Sequence, residues 1–288
     1  MNNKFRLSSS TYEREEENDK VNPAKIYFLS VEGNKTEKEY FEGISANRKK
    51  LGISSRIDVK VLGRSDIDTQ SAPSKVIELL EEYVNLRGKG CAKEIIEIMS
   101  TTLKDYDYEF VQQFLQDPES MDEEKRNRLQ EDLKKAGYDY EYRSFLEKYD
   151  SELDEFGIVI DRDRYSNSET MMEEIINHCQ KKRYVCYITN PCFEFWLLLH
   201  LSDITIEYQN RMHLIHENRK ISNRHTYVSK EVSEKAHHGK KGIEFADHYL
   251  DKVHVAVERA KAFSSDEVEL INNVGTNLWK LIEKMKED

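Results

Sequence analysis

The sequence predicts an α/β protein in which a parallel sheet is flanked by helices. Three segments rich in β-branched and aromatic residues, Ile26–Val31, Ile57–Leu62 and Ile158–Ile160, have the length and composition of strands. A helical pattern follows each of the first two segments, with Pro73 in a first-turn position of the second helix. Strands that alternate with helices in this way are typical of parallel sheets built from β-α-β units.

Length and composition predict the domain organisation. The chain has 288 residues, 38% of them hydrophobic, which is sufficient for a packed core. We predict a disordered tail over residues 1–24, the α/β domain over residues 25–208 and a helical C-terminal region over residues 209–288. Within the domain, residues 91–155 predict an acidic helical insertion. No stretch resembles a signal peptide or a membrane span, so we expect a cytoplasmic protein that does not bind membranes.

Acidic residues follow two strands of the predicted sheet. Glu32 comes after the first strand, and Asp161 and Asp163 end the third in the segment FGIVIDRDR. Because alternate residues of an extended chain face the same way, the two aspartates are predicted to share one side, opposite Arg162. Ligands of parallel sheets bind at the carboxyl ends of the strands, so these three carboxylates predict a Mg²⁺ or Mn²⁺ site. The alternative is a loop in which the aspartates pair with Arg162 and Arg164.

A fourth predicted strand, Tyr184–Ile188, precedes a helix that is apolar on nearly all sides. Asn190 is a favourable N-cap and Pro191 fits the first helical position, so the helix is predicted to begin there and to be buried. Glu194 is the exception, because a carboxylate in a buried first turn needs a metal, a cation or the helix N-terminus. It is predicted to join the aspartates or to form a structural pair with Lys or Arg. His200 is predicted to be a packed or surface histidine rather than a catalyst.

Capping and periodicity predict further helices. Thr36 and Glu39 have the spacing of a capping box at the start of the first helix. Residues 243–263 predict one long helix, and residues 277–285 predict the last helix. The four cysteines show no C-x-x-C spacing and are predicted to be reduced core thiols.

The net charge of −11 is unevenly distributed along the chain. Residues 105–155 contain seventeen acidic and seven basic residues, so most of the negative charge lies in the predicted insertion. Because this charge would repel phosphate, we expect the insertion to project away from Glu32 and Asp161 as an arm for protein contact. Residues 209–243 contain eight Lys or Arg, three Glu and five His. This basic segment either contacts phosphates or is a solvated helix face.

Several motifs resemble a known family. The E-G after the first strand and the D-x-D after the third resemble the Toprim domain of primases, topoisomerases and OLD-type nucleases. The segments VEGNKTEKEYF, VIDRDRY, TNPCFEFWLLLH and VGTNLWKLIEKM resemble the RloB family, which consists of Toprim-like proteins from bacterial abortive-infection and phage-defence loci. The resemblance covers residues 25–64, 156–202 and 272–285. It implies a metal-dependent nuclease that acts as a defence effector beside an ABC-type ATPase.

The resemblance also implies roles for individual residues. The implied metal ligands are Glu32, Asp161 and Asp163, and Glu37 is a further implied catalytic residue. Glu194, which its place after a strand puts at the same edge of the sheet, is predicted to bind the metal or to orient water. Position and composition add Lys240 as a candidate. Glu37 resembles the second glutamate of OLD-type nucleases, although its spacing from Glu32 is one residue longer than usual. The alternative for Glu37 is an acid that stabilises the helix dipole. Lys240 or Lys241 would stabilise the charge that develops on the phosphate.

The predicted reaction is phosphodiester hydrolysis, in which one or two Mg²⁺ or Mn²⁺ ions polarise the phosphate while water attacks in line. The nucleic-acid substrate is left open between DNA and RNA, transfer RNA included. Two other functions fit parts of the sequence. An aspartyl phosphatase also carries D-x-D, but normally after the first strand and with a small residue in the place of Tyr165. A non-catalytic Toprim-like subunit would bind and regulate the ATPase, and its carboxylates would serve only structure.

Overall fold

The structure confirms the α/β class and the largely parallel sheet. The computed structural model describes residues 24–33, 35–62, 72–86, 103–104, 106–116, 120–135, 152–236 and 242–287. The strands are β1 (Lys25–Val31), β2 (Ile57–Val61), β3 (Glu155–Asp161), β4 (Val185–Asn190) and β5 (Gly275–Thr276). They form one sheet in the order β2-β1-β3-β4-β5. All neighbouring strands are parallel except β4 and β5.

Helices make up most of the remaining described chain. In chain order they are α1 (Thr36–Ala46), α2 (Pro73–Leu86), α3 (Tyr108–Gln116), α4 (Glu123–Lys135), α5 (Glu169–Lys182), α6 (Phe193–Leu201), α7 (Ile204–Glu207), α8 (Met212–Glu217), α9 (Tyr227–Ala236), α10 (Phe245–His248), α11 (Val253–Ala260) and α12 (Leu278–Glu287). Short 3₁₀ segments occur at Gln209–Arg211, Leu250–Lys252 and Glu269–Ile271. Within the described ranges, none of the helices combines the length and the apolar composition that crossing a membrane requires.

The chain divides into two compact units. One contains residues 1–61, 71–77 and 150–288, and therefore holds the sheet and the C-terminal helices. The other contains residues 62–70 and 78–149 and has a small core of its own, to which α3 and α4 contribute. The buried residues of that core are Leu103, Val111, Phe114, Leu129 and Leu133.

Parts of the predicted tail and insertion lie outside the described residues, namely 1–23, 91–102, 105, 117–119 and 136–151. Cys91 falls in one of these ranges. The other three cysteines are buried free thiols, as predicted.

The four predicted strands are present, but β5 was not predicted. Two residues carry no detectable periodicity, and β5 is defined by its pairing with the end of β4, where Gly275 lies opposite Asn190. The next residue, Asn277, holds β4 through its side chain: its amide donates to the carbonyl of Cys186 at 2.8 Å and its Oδ1 accepts from the N–H of Ile188 at 2.7 Å. The VGTN motif therefore forms the edge of the sheet next to β4.

The predicted start of α6 is wrong. Asn190 is still part of β4, and its side chain donates to the carbonyl of Leu270 at 2.8 Å, so it does not cap the helix. The helix begins at Phe193, with Cys192 in the N-cap position. The prediction that α6 is buried is confirmed, because Phe193 and the residues from Phe195 to His200 are all buried.

The predicted capping box at α1 is also wrong. The helix begins at Thr36 with Lys35 as the N-cap, and no side chain caps it. Glu39 instead accepts a hydrogen bond from the N–H of Ile243 at 2.9 Å. A contact across 204 residues therefore replaces the local one that the motif predicted.

The single helix predicted over residues 243–263 is divided into α10, a 3₁₀ segment and α11. Phe245 packs edge-to-face on Tyr40 with the ring centroids 5.2 Å apart, and Tyr249 packs on His200 at 5.3 Å. Both rings are buried in one core, and we attribute the break to this tertiary packing, which overrides the helical periodicity.

Candidate functional site

The carboxylates of Glu32 and Asp161 meet at the carboxyl edge of the parallel sheet. β1 and β3 are adjacent, and Val31 pairs with Val159, so the residues at the two strand ends are neighbours. Oε2 of Glu32 accepts a hydrogen bond from the N–H of Asp161 at 2.9 Å. Oδ1 of Asp161 in turn accepts from the N–H of Phe193, the first residue of α6, at 2.8 Å. Backbone donors therefore fix the orientation of both carboxylates.

Two further acids lie beside this pair, each in the first turn of a helix. Glu37 of α1 is 6% exposed, and its Oε1 accepts from the N–H of Gly33 at 3.0 Å. A Cβ at position 33 would lie only 2.1 Å from Oε2 of Glu37, so this approach requires glycine. Glu194 of α6 is partly buried. Glu32, Glu37, Asp161 and Glu194 are called the carboxylate cluster below.

Burial and like charges both act on the carboxyl group of Asp161. Burial raises the pKa of Asp161 well above its usual value, and the charges of Glu32, Glu37 and Glu194 raise it further. The hydrogen bond from Phe193 opposes this shift. In the described part of the chain, no Lys or Arg forms an ion pair with Asp161 or Glu194. The structural pair considered for Glu194 is therefore not found there.

Asp163 is engaged in a turn. The strand ends at Asp161, so the two-residue alternation that predicted a shared side does not continue to Asp163. Its Oδ1 accepts from the N–H of Tyr165 at 3.2 Å and its Oδ2 accepts from the hydroxyl of Ser166 at 2.7 Å. The carboxylate therefore stabilises the loop between β3 and α5.

The arginines next to the aspartates bind carbonyl groups. Arg162 is 3% exposed and donates to the carbonyls of Asn167 and Ile271. Arg164 donates to the carbonyl of Asn272. Neither guanidinium pairs with an aspartate of the D-x-D motif, so the alternative of an ion-paired loop is wrong.

The donor chemistry at this edge of the sheet fits a hard divalent cation. All four side chains of the carboxylate cluster offer oxygen, the ligand that Mg²⁺ and Mn²⁺ prefer. Among the described residues, no group of three or more His, Cys, Asp or Glu side chains is arranged so that it could hold a metal ion by itself. Mg²⁺ commonly keeps several waters and uses one or two protein carboxylates, as Glu32 and Asp161 could provide. Lys240 and Lys241 lie outside the described residues.

Sequence reasoning missed a cavity of about 540 Å³ that lies beside Glu194. Arg224 and His225 line it, together with Lys35 near the start of α1. The excess of positive charge in residues 209–243 was the one signal in the sequence for these side chains. The acids of the cavity wall come from distant parts of the chain and carry no common motif.

Comparison with known proteins gives one match. Residues 27–285 match the family model described as RloB-like protein. No curated protein and no solved structure matches the chain. The matched range includes every strand end and helix start that forms the carboxylate cluster, as well as most of α12. Because the match extends over nearly the whole chain, the protein belongs to the RloB-like protein family.

Proposed function

We propose that this protein is a Mg²⁺- or Mn²⁺-dependent nuclease of Toprim type that hydrolyses phosphodiester bonds at the carboxylate cluster. The observation that carries the proposal is the crowding of Glu32, Glu37 and Glu194 around the partly buried Asp161. Like charges in one small volume repel each other unless a proton or a cation lies between them. A divalent cation would remove the repulsion and attract the phosphate of a substrate to the same point.

Glu32 and Asp161 would hold the cation, because backbone N–H groups already orient their carboxylates. When bound, the cation supplies Lewis-acid polarisation of the phosphate oxygens. Glu37 and Glu194 would add negative charge around the ion and orient water. Asp163, the third ligand implied by the resemblance, is oriented by its bonds to Tyr165 and Ser166 within its own turn.

Membership of the RloB-like family supports a wider proposal, in which the nuclease is the effector of a bacterial anti-phage system with an ABC-type ATPase partner. The net charge of −11 favours weak binding of nucleic acid by the isolated chain, so efficient cleavage would need the partner. Rapid partner-free cleavage at physiological salt would contradict this dependence and leave the nuclease proposal intact.

A second function is favoured by the contacts of Asp163. The carboxylate of Asp163 accepts hydrogen bonds only within its own turn among the described residues. This fits a non-catalytic subunit, in which the acids of the D-x-D motif contribute to structure and the subunit regulates the partner. Cleavage by the wild type with the ATPase partner present separates the two functions, because a non-catalytic subunit would show none. Asp163→Asn then tests the role of Asp163 within a nuclease. As a turn residue it would cost less than about 1 kcal/mol of stability and leave cleavage in place, whereas as a ligand it would abolish cleavage.

The experiment that tests the nuclease proposal compares Asp161→Asn with Glu173→Gln. Both variants remove one negative charge, but Glu173 is exposed on α5 and lies outside the carboxylate cluster. Cleavage of single- and double-stranded DNA and RNA is measured with Mg²⁺, Mn²⁺ or EDTA, with the ATPase partner present. We expect metal-dependent cleavage that falls by about a hundredfold or more in Asp161→Asn and is unchanged in Glu173→Gln. Equal cleavage by both variants would refute the proposed site.

A further inference from the structure

The cavity beside Glu194 is built from one face of each of three helices. Side chains three or four positions apart lie on the same helix face. The helical residues that line it show this spacing: Thr36 and Glu39 in α1, Glu194 and Leu197 in α6, and Ser229, Val232 and Ser233 in α9. α9 packs directly on α6. The cavity is therefore a product of helix packing within the unit that holds the sheet.

Cationic side chains stand at the cavity wall. Arg224 and His225 belong to a tight hairpin, in which Lys220 and Thr226 form an isolated bridge and the N–H of Ile221 donates to the carbonyl of His225 at 2.9 Å. Within the described residues, Arg224 forms no ion pair. The hairpin thus presents a guanidinium that is available to an anionic ligand.

The acids of the wall are partly compensated. Glu39 accepts from the N–H of Ile243 at 2.9 Å and lies 4.0 Å from Nζ of Lys35. Gly242 permits this contact, since its φ is +106° and a Cβ there would lie 2.4 Å from Oε2 of Glu39. The charge of Glu194 would be compensated by the cation of the proposed function. Arg224 is then left to bind negative charge.

The size and lining of the cavity fit one nucleotide. About 540 Å³ lies within the range of small-molecule sites and is far too small for a duplex. Leu197, Val232 and Ile243 provide an apolar wall for a base. The hydroxyls of Thr36 and Ser233 can bond to the polar edges of a base or to a ribose. An unpaired nucleotide combines an apolar face, polar edges and a phosphate, whereas a paired one hides its edges.

We propose that this cavity binds one unpaired nucleotide of a nucleic-acid strand, whose adjacent phosphodiester lies at the carboxylate cluster. Glu194 lines the cavity and also belongs to the carboxylate cluster, so a strand that enters one reaches the other. The inference rests on the proposed function and extends it, because it names single-stranded nucleic acid as the substrate class.

The test measures binding of a fluorescein-labelled, phosphorothioate-linked decamer of mixed sequence, as DNA and as RNA, by anisotropy in Mg²⁺. Arg224→Glu is compared with Lys220→Glu, which makes the same charge change in the same hairpin away from the cavity wall. We expect Arg224→Glu to weaken binding about tenfold or more and Lys220→Glu to weaken it less than about threefold. Ser233→Trp, which fills the cavity from a partly buried position, should abolish binding. Melting curves confirm that each variant is folded.

Equal weakening by Arg224→Glu and Lys220→Glu, or full binding by folded Ser233→Trp, would overturn the inference. An unlabelled single strand should compete with the decamer, whereas a fully paired hairpin of the same sequence should not; equal competition would also overturn it. Failure of the proposed function would give a different result. In that case Mg²⁺ would not raise the melting temperature of the wild type, although the decamer would still bind and Arg224→Glu would still weaken that binding.

Discussion

The two ends of α6 both bury titratable side chains, but they treat them in opposite ways. At the C-terminal end, His200 is 2% exposed and both ring nitrogens have partners. Nδ1 lies 2.9 Å from the carbonyl oxygen of Trp196, which can only accept, so Nδ1 carries the proton and Nε2 accepts from the hydroxyl of Tyr40 at 3.1 Å. Burial lowers the pKa of His200 to about 3, and the ring stays neutral. Of the two predicted placements of His200, packed or at the surface, the structure shows the packed one.

At the N-terminal end of α6, Asp161 and Glu194 lie among like charges. The helix macrodipole contributes about half a positive charge there. At the C-terminal end of α6 the partial negative charge of the helix is compensated, because Arg259 donates to the carbonyl of Leu199 at 2.8 Å. The C-terminal end of α6 is therefore a core in which the polar groups are hydrogen-bonded, whereas the N-terminal end lies among like-charged carboxylates.

The largest expected effect is at the C-terminal end of α6. His200→Ala removes a buried ring and leaves the hydroxyl of Tyr40 without its acceptor, so we expect a loss of about 3–5 kcal/mol in the free energy of unfolding. Urea denaturation measures it. His254→Ala, which removes an exposed histidine from α11, should change stability by less than about 0.5 kcal/mol. A loss below about 1 kcal/mol for His200→Ala would show that this end of α6 is not a tightly packed core.

The two ends should also respond to pH with opposite signs. The folded-state pKa of His200, about 3, lies below its ordinary value of 6.5, so its contribution to stability is present above 6.5 and is lost as pH falls. The pKa of Asp161 is raised above its ordinary value of 3.8, so its destabilising charge is absent at low pH and appears as pH rises through the folded-state pKa.

Melting curves in EDTA from about pH 8 to pH 5 test this contrast. The advantage of Asp161→Asn over the wild type should shrink as pH falls, and so should the disadvantage of His200→Phe. An advantage of Asp161→Asn that grows in acid would show that Asp161 is stabilised as an anion by the protein itself.

A smaller effect is expected from Gly33→Ala. The added Cβ meets the carboxylate of Glu37, a flexible group that can move, so the loss of stability should stay below about 1 kcal/mol. Displacing Glu37 should weaken metal binding about tenfold, as measured by calorimetry with Mn²⁺. If Gly33 acts through Glu37, the double variant with Glu37→Gln should bind Mn²⁺ no more weakly than Glu37→Gln alone. Additive effects would show that the two residues act independently.

Much of the sheet could be predicted from the sequence, because local composition carries the information. The β-branched run of β3 and the acids after β1 and β3 are adjacent in the chain to the strands that orient them. Parallel pairing then brings Glu32 to Asp161. The position of Asp163 could not be predicted, because alternation applies only while the chain remains extended, and β3 ends at Asp161.

The remaining errors have a common cause in contacts between distant residues. Nothing near Asn190 signals that β4 continues to pair with Gly275, so the start of α6 was placed too early. Glu39 fits a capping box but binds Ile243. The cavity joins faces of α1, α6 and α9, and its cationic wall comes from a hairpin that the sequence showed only as a basic segment.

The central proposal is that a divalent cation binds at the carboxylate cluster, and a melting experiment tests it most directly. The control is Asp58→Asn, because Asp58 is a carboxylate paired with Arg48 at 2.7 Å and Lys60 at 3.2 Å. In EDTA, we expect Asp161→Asn to melt a few degrees above the wild type and Asp58→Asn to melt below it. Mg²⁺ or Mn²⁺ should then raise the melting temperature of the wild type and of Asp58→Asn, but not that of Asp161→Asn. A lower melting temperature for Asp161→Asn in EDTA, with the same response to metal as the wild type, would contradict the claim.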